Sequence, residues 1–285
     1  MLNAIASELQ PAGSSPYFGV LLYGAASTVE TIAVLPTTSA ATIKAKLDLK
    51  QYTAAQVNPC KLSSALDLVD TLCQSACRTS ASRVTIIFTS SPDSLAEFRV
   101  RQLERTCGMT VIAVGIGALA QTATLNNLAT YPSRLYAVPF NTFTDLIVTT
   151  PYLSDLISNV PRLLSVGSTL SVSSTISGTY YTVQLNTYGY IHTNDTVVTY
   201  TTNWSSRVFA SLSEPNPTLT NAIETTNSQY MYASGYYRTH YFRIPTNADR
   251  FYVSFLGTGG SSLTGRLDVF NMPSMMTFPA TTKSV

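Results

Sequence analysis

The sequence predicts an α/β domain with a doubly wound, mostly parallel sheet, followed by an all-β sandwich domain. Apolar β-branched runs alternate with amphipathic helical patterns up to about residue 160, as expected of βαβ units. After Pro161 the pattern changes to strict alternation in short runs separated by Gly, Pro and Asn turns. The chain has 285 residues, more than one hydrophobic core usually spans. We therefore predict domains at 1–160 and 161–275, with a tail at 276–285.

In the first domain, hydrophobic periodicity indicates each element in turn. Helical spacing occurs in LNAIASEL, SAATIKAKLDL, KLSSALDLVDTLCQSAC and SLAEFRVRQLERTC, and strands are predicted for YFGVLLYG, TVETIAVL, RVTIIFT and MTVIAVGIG. LYAVPF and TFTDLIVTTPYLSDLI complete this pattern. The third helix has the clearest apolar face, formed by Leu62, Ala65, Leu66, Val69, Leu72 and Cys73. MTVIAVGIG carries no charge, which is typical of a central parallel strand.

In the second domain, short alternating segments predict the strands. They are STLSVSSTI, YYTVQLNTYGYI, DTVVTYTTNW, RVFASL, YMYASGYYRTHYFRI, RFYVSFLG and GRLDVFN. Several short strands with a turn about every dozen residues favour a β-sandwich.

Composition and charge exclude two classes of partner. Charged residues make up 11% of the chain and the net charge is +2, whereas about 25% charged residues is average. Arg99, Arg101 and Arg105 lie beside two glutamates at helical spacing, so we interpret them as a solvated helix face and predict no nucleic-acid binding. No run of 18 or more apolar residues occurs, so we predict no membrane span.

Four segments, in their order and spacing, carry a resemblance to a known family. YFGVLLYGAASTVETI, CKLSSALDLVDTL, RVTIIFTSSPD and MTVIAVGIG resemble strands and a helix of von Willebrand factor A domains. The resemblance implies a divalent-cation site at the end of the sheet, formed by an Asp-x-Ser-x-Ser loop after the first strand, a Thr and an Asp.

This metal-ion-dependent adhesion site is degenerate in the sequence. Cys60 stands where the family has the Thr, Ser90 stands where it has the Asp, and the first strand with its loop is missing. Mg²⁺ prefers several oxygen ligands that include a carboxylate, so we predict no metal and no cofactor. Asp93 offers a displaced carboxylate, but a loop Asp before a helix is more simply a capping or first-turn acid.

The missing first strand has a structural consequence. In the family it lies between the strands that YFGVLLY and RVTIIFT resemble, so its loss leaves backbone groups unpaired or forces these neighbours to pair directly. We expect an incomplete copy of a longer chain. This also explains why MLNAIASELQ does not have the features of a signal peptide.

Cysteines and glycosylation sequons indicate an extracellular, secreted protein. Cys60, Cys73, Cys77 and Cys107 form an even set that allows disulfides, and buried free thiols are the alternative. Cys73 and Cys77 are four residues apart on one predicted helix, and we expect Cys107 to reach one of them. Asn194 and Asn203 each begin an acceptor triplet for N-glycosylation.

The sequence lacks the marks of a catalytic site. The two histidines, His192 and His240, lie in alternating segments, and no Gly-x-Ser-x-Gly elbow occurs. We therefore predict that the protein is not an enzyme. The candidate binding surface comprises Ser91, Asp93, Tyr232, Tyr236 and Arg238. The aromatic run around Tyr236 suits contact with proteins or sugars, although alternate members also suit a sandwich core.

These observations predict an extracellular, non-catalytic adhesion module that binds a protein or glycan partner without a metal bridge. One alternative is a lectin-like protein that binds carbohydrate through its β domain. The other is a hydrolase-type α/β enzyme with Ser90, Ser91 and Asp93 at the carboxyl edge of the sheet, where ligands usually bind in such folds. The sequence determines neither the partner nor the oligomeric state.

Overall fold

The computed structural model of the protein divides into two units, Met1–Val160 and Pro161–Val285. It describes residues 18–24, 28–37, 40–49, 61–78, 81–89, 93–117, 122–163, 169–173, 179–184, 196–203, 206–218, 220–222, 226–232, 235–244, 250–257 and 262–271. The predicted helix at LNAIASEL and the predicted tail lie outside these residues.

Unit 1 is a mixture of helices and strands. Its strands are β1 (Phe18–Leu22), β2 (Glu30–Thr37), β3 (Val84–Thr89), β4 (Thr110–Ile116) and β5 (Ala137–Phe140). Its helices are α1 (Ala40–Asp48), α2 (Leu62–Ala76), α3 (Ala96–Cys107), α4 (Thr122–Leu128), α5 (Ser133–Tyr136), α6 (Phe143–Val148) and α7 (Thr150–Ser158).

A parallel sheet of three strands, in the order β3-β4-β5, lies at the centre of unit 1. Residues 111–114 of β4 are 0% exposed, in agreement with the uncharged run that predicted a central strand. The buried core joins β4 to side chains of α2, α3, α4 and α7. The prediction of an α/β fold with a parallel sheet is thus confirmed.

β1 and β2 form a separate antiparallel ladder. Among the described residues, β3 pairs only with β4, and β1 does not pair with β3. Of the two consequences expected for a missing first strand, direct pairing of its neighbours thus does not occur in the described part of the chain. Instead, the hydroxyl of Tyr23, which directly follows β1, donates a hydrogen bond to the Phe88 carbonyl of β3 at 2.9 Å.

α2 and α3 are amphipathic and pack against each other and the sheet. The predicted apolar face of α2 is confirmed: Leu62, Ala65, Leu66 and Cys73 are buried, and Val69 and Leu72 are half-buried. α3 ends at Gly108, whose φ of 61° lies in the left-handed region that favours glycine.

The arginines of α3 are not all solvated, contrary to the sequence interpretation. Arg101 donates to the carbonyls of Asn127 and Ala129 at 2.9 and 2.6 Å. These carbonyls belong to the last turn of α4 and the residue after it, where helix carbonyls lack partners within the helix. Arg101 therefore caps α4.

Unit 2 contains strands and no helix in its described residues. The strands are β6 (Arg162–Leu163), β7 (Thr169–Ser173), β8 (Thr179–Gln184), β9 (Thr196–Asn203), β10 (Ser206–Ser211), β11 (Thr226–Tyr232), β12 (Gly235–Ile244), β13 (Arg250–Gly257) and β14 (Ser262–Asn271). They form one sheet in the order β10-β13-β8-β6 and another in the order β11-β12-β9-β14-β7. The packing of these sheets as a sandwich stays a prediction.

The run YMYASGYYRTHYFRI, which the sequence indicates as one segment, is two strands. β11 and β12 pair antiparallel, with Tyr232 opposite Gly235 and Met231 opposite Tyr236. β12 then pairs with β9.

The helices of the described ranges are all too short or too polar to cross a bilayer.

Candidate functional site at the carboxyl end of β3

The carboxylate of Asp93 links the beginnings of α2 and α3. Its Oδ2 accepts a hydrogen bond from the backbone N–H of Ser63 at 2.9 Å, and its Oδ1 accepts one from the backbone N–H of Leu95 at 3.1 Å. Ser63 is the second residue of α2, and Leu95 directly precedes α3. Because the first N–H groups of a helix have no partner within the helix, this one side chain satisfies donors from two helices.

These hydrogen bonds keep Asp93 ionised. Burial alone would raise the pKa of its carboxyl group, but the hydrogen bonds from the backbone and hydroxyl of Ser63 and from Leu95 outweigh burial and lower the pKa. A negative charge at a helix N-terminus is also stabilised by the helix dipole. Both oxygens of this ionised group already accept hydrogen bonds from the protein.

A tyrosine and a threonine complete the cluster. The Tyr23 hydroxyl donates to Phe88 O and also has a hydrogen bond with the Thr89 side chain, the last residue of β3. Burial raises the pKa of Tyr23, and the charge of Asp93 adds to this effect, while the Thr89 hydrogen bond opposes it. Tyr23 is therefore a neutral phenol. We call Tyr23, Ser63, Thr89 and Asp93 the crest cluster.

Among the residues considered for the degenerate metal site, Asp93 is the one that the structure describes. Cys60, Ser90 and Ser91 lie outside the described residues, so their roles stay predictions. Asp93 is described, and its oxygens bind backbone N–H groups, as a capping acid does. Within the described ranges, no group of three or more His, Cys, Asp or Glu side chains is arranged to hold a metal ion.

The sequence does not identify Tyr23, Ser63 or Thr89 as members of this cluster. The available signal was weak. Ser63 lies at the beginning of a strongly periodic helix, where Ser is common, but its partner is 30 residues further along the chain. Tyr23 and Thr89 each stand at the end of a predicted strand, and no local pattern shows that the two strand ends meet.

The predicted binding residues of unit 2 belong to two paired strands. Tyr232 is the last residue of β11, opposite Gly235 in the backbone register, and Tyr236 and Arg238 lie in β12, opposite Met231 and Gln229. Their assignment to a binding surface stays a prediction.

The predicted glycosylation sites are only partly described. Asn203 is the last residue of β9 and pairs with Tyr237 of β12 in the backbone register. Asn194 lies outside the described residues, and so does His192. His240 lies in β12, opposite Asn227 and Tyr200.

The described cysteines are free thiols that lie together at the other end of the α2–α3 pair. Cys73 and Cys107 are buried and Cys77 is half-buried. The Cys73 thiol has hydrogen bonds with both Cys77 and Cys107, which confirms that Cys107 reaches the cysteines of α2. Disulfides among these residues and Cys60 stay a prediction.

The sequence matches no protein-family model and no curated protein. Solved structures with a similar backbone include proximal thread matrix protein 1 from the mussel byssus in crystal form 2, with a TM-score of 0.47, 17% identity, and coverage of 61% of this chain and 42% of that chain. The same mussel protein with a zinc-occupied MIDAS motif gives a TM-score of 0.44, 18% identity, and coverage of 61% and 43%.

The pilus adhesin SpaC from Lactobacillus rhamnosus GG, in its open conformation, is also similar. It gives a TM-score of 0.42 and 10% identity, with coverage of 93% of this chain and 36% of that chain. Each of these three alignments spans less than half of the solved chain.

Proposed function

We propose that this chain is an extracellular, non-catalytic adhesion module that binds a protein or glycan partner without a metal bridge. In this proposal a von Willebrand factor A-like α/β domain is followed by a β-sandwich. The observation that carries the metal-free part of the proposal is the state of Asp93. Its two oxygens accept hydrogen bonds from the N-termini of two helices, so a cation would compete with these donors for the carboxylate. Because Mg²⁺ requires near-octahedral oxygen ligation, a carboxylate held in this way is a poor ligand.

The absence of catalysis is part of the proposal. Asp93 is engaged with backbone groups, so it is not free to orient a base for Ser90 or Ser91. His240 has Asn227 and Tyr200 as its cross-strand neighbours in the backbone register, and neither is a carboxylate. A serine nucleophile is activated by a histidine that a carboxylate orients, and neither of these two neighbours supplies that carboxylate.

A titration with metal ions tests the metal-free mode of the proposal. We expect calorimetry of the full chain with MgCl₂ or MnCl₂ to give only the heat of dilution, for the wild type and for Asp93→Ala alike. A one-site isotherm for the wild type that disappears in Asp93→Ala would show that the crest cluster binds a cation. An isotherm shared by both proteins would place a cation elsewhere, and either result overturns the proposal.

A binding experiment tests the adhesion function itself. The full chain is applied to a glycan array and to an array of immobilised extracellular proteins, once with Mg²⁺ and once with EDTA. We expect a specific signal on at least one array, equal under both conditions. Silence on both arrays contradicts a binding module, and a signal lost in EDTA contradicts binding without a metal.

The β12 strand gives the lectin-like alternative a specific test. Tyr236 and Arg238 both belong to β12, and tyrosine and arginine suit contact with a sugar ring and its hydroxyls. If carbohydrate binds through this strand, Tyr236→Ala abolishes the glycan signal of the full chain. Tyr232→Ala makes the same change in the neighbouring strand β11 and keeps the signal if the sugar binds through β12 alone.

A further inference from the structure

Three thiols meet where α2 and α3 end. Cys73 lies in the last turn of α2, Cys77 directly follows that helix, and Cys107 is the last residue of α3. Cys73 and Cys107 are 4% and 2% exposed. Because the Cys73 thiol has hydrogen bonds with both of the others, it is the central member of what we call the thiol cluster.

Neighbouring polar groups fix the sulfur of Cys107 against α2. The Cys107 thiol donates to Oδ1 of Asp70 at 3.3 Å, and its sulfur accepts from the Thr106 hydroxyl at 3.7 Å. The Thr106 hydroxyl also bonds to Oδ1 of Asp70 at 2.7 Å. Asp70 is one turn before Cys73 on α2, so these contacts direct Cys107 towards the helix that carries its partner thiol.

The three cysteines differ in exposure and in acidity. The hydrogen bond from Cys73 lowers the pKa of Cys77 to about 7; burial opposes this effect and the charge of Arg83 adds to it. The same hydrogen bonding raises the pKa of Cys73 itself. Cys77 is also the least buried of the three. Since the thiolate is the reactive form, Cys77 is the thiol that meets an external reagent.

We propose that the thiol cluster is a disulfide-forming site, in which Cys77 reacts first with a small-molecule disulfide and the final bond joins Cys73 of α2 to Cys107 of α3. This inference goes beyond the adhesion function and does not depend on it. The oxidant is a symmetric low-molecular-weight disulfide, RSSR, such as oxidised glutathione.

Each step is a thiol–disulfide exchange through a mixed disulfide. The Cys77 thiolate attacks RSSR, which forms a Cys77–SR bond and releases RS⁻. Cys73 loses its proton to solvent and attacks the Cys77 sulfur, which forms a Cys73–Cys77 bond and releases the second RS⁻. Cys107 then loses its proton and attacks the Cys73 sulfur, and Cys77 leaves as a thiolate. In total two protein thiols are oxidised, RSSR is reduced to two RSH, and Cys77 is regenerated.

The final bond is favoured over its precursor because of what each one connects. A Cys73–Cys77 bond closes a single turn of chain, whereas a Cys73–Cys107 bond closes a loop that contains β3 and α3. A disulfide that closes a longer loop restricts the unfolded chain more strongly. The Cys73–Cys107 bond also joins two thiols that are already hydrogen-bonded to each other.

The experiment uses the full chain with Cys60→Ser, so that Cys60 takes no part. The reduced protein is treated with oxidised glutathione near neutral pH and quenched with acid, and the thiols left are alkylated before peptide mapping by mass spectrometry. We expect one intramolecular disulfide between the Cys73 and Cys107 peptides, a loss of two hydrogen atoms, and an alkylated Cys77. Three alkylated cysteines, or a final bond that includes Cys77, would overturn the proposal.

Single variants in the same background test the order of the steps. Cys77→Ser forms the same disulfide at least about tenfold more slowly, because the more acidic and more exposed thiol is gone. Cys107→Ser stops at the Cys73–Cys77 bond or at glutathione on Cys77. Cys73→Ser and Cys73→Ala both keep glutathione on Cys77 without an internal bond, and agreement between the two excludes an effect of burying a hydroxyl. A wild-type rate in Cys77→Ser contradicts the proposed order.

Discussion

The two ends of the α2–α3 pair are held by different chemistry. At the N-terminal ends, the ionised carboxylate of Asp93 accepts backbone hydrogen bonds from both helices. At the C-terminal ends, three thiols bond mainly to one another and to Asp70. A carboxylate whose oxygens accept hydrogen bonds from fixed backbone donors is a structural link. Thiols that are hydrogen-bonded to one another can ionise and form disulfides. The same helix pair therefore combines a permanent clamp with a reactive cluster.

The largest effect is expected from removal of the clamp. Asp93→Ala leaves N–H groups of α2 and of the turn before α3 without their acceptor, at a cost of about 2 kcal/mol, since a single lost cap costs about 1 kcal/mol. Urea unfolding followed by the helical circular dichroism signal measures this loss. Helical signal reports on unit 1, because the helices of the described residues all lie in that unit.

Asp145→Ala is the matched control for this substitution. Asp145 also receives a backbone N–H, from Thr142 at 2.9 Å, but it caps only α6. We expect it to lower the free energy of unfolding by less than half as much as Asp93→Ala. Equal losses would mean that Asp93 serves one helix and not two.

The pH dependence of stability separates what the negative charge of Asp93 contributes from what a neutral side chain of the same shape contributes. The folded pKa is lowered, so it lies below the value of about 3.9 for an unfolded aspartate. The contribution of Asp93 is thus complete above about pH 5, one unit above the unfolded pKa, and is lost as the pH falls through the folded pKa. The difference in unfolding free energy between the wild type and Asp93→Asn is therefore expected to be constant above about pH 5 and to shrink below it.

Asp70 provides the internal reference for that measurement. Its pKa is also lowered: burial would raise it, but hydrogen bonds from Thr106 and other side chains outweigh burial. Both proteins retain Asp70, so its contribution cancels in the difference. A difference that stays constant down to the acid transition would contradict a lowered folded pKa of Asp93, because its contribution would then not depend on ionisation.

At the C-terminal ends of α2 and α3, we expect a substitution to change the reactivity of the Cys77 thiol. The charge of Arg83 helps to lower the pKa of Cys77, so Arg83→Gln raises that pKa and slows alkylation of Cys77 by iodoacetamide at neutral pH, by about threefold. Arg83→Lys retains the charge and restores most of the rate. Arg105→Gln removes an exposed charge from the last turn of α3 and is the matched control with an unchanged rate.

This difference between the two ends also explains what the sequence could and could not predict. α2, α3, β3 and β4 are six to fifteen residues long and are either periodic or continuous apolar runs, so local patterns were sufficient. The Asp93–Ser63 link was not predictable, because it joins residues far apart in the chain and both are common near helix ends. The local pattern of FGVLL does not show the partner of β1 either, because strand pairing is not local; the hairpin of β1 with β2 was implied only by the family resemblance.

In unit 2 the missing information was the position of one turn. The sequence indicates the aromatic run as one alternating segment, but β11 and β12 are two strands that pair antiparallel, with Tyr232 opposite Gly235. Alternation alone does not show where such a run turns, and a turn sets the register of the residues that follow it.

The smallest effect is expected at Tyr23, which joins β1 to β3 through its side chain. Tyr23→Phe keeps the ring and removes the hydroxyl that donates to Phe88 O at 2.9 Å and bonds to Thr89. A buried hydrogen bond contributes about 1 kcal/mol, so we expect a loss of about that size in urea unfolding. Tyr152→Phe, at a residue of α7 that is 50% exposed, is the control and leaves stability unchanged. If the two variants behave alike, the phenol does not hold β1 at β3, and Asp93 alone organises this end of the helix pair.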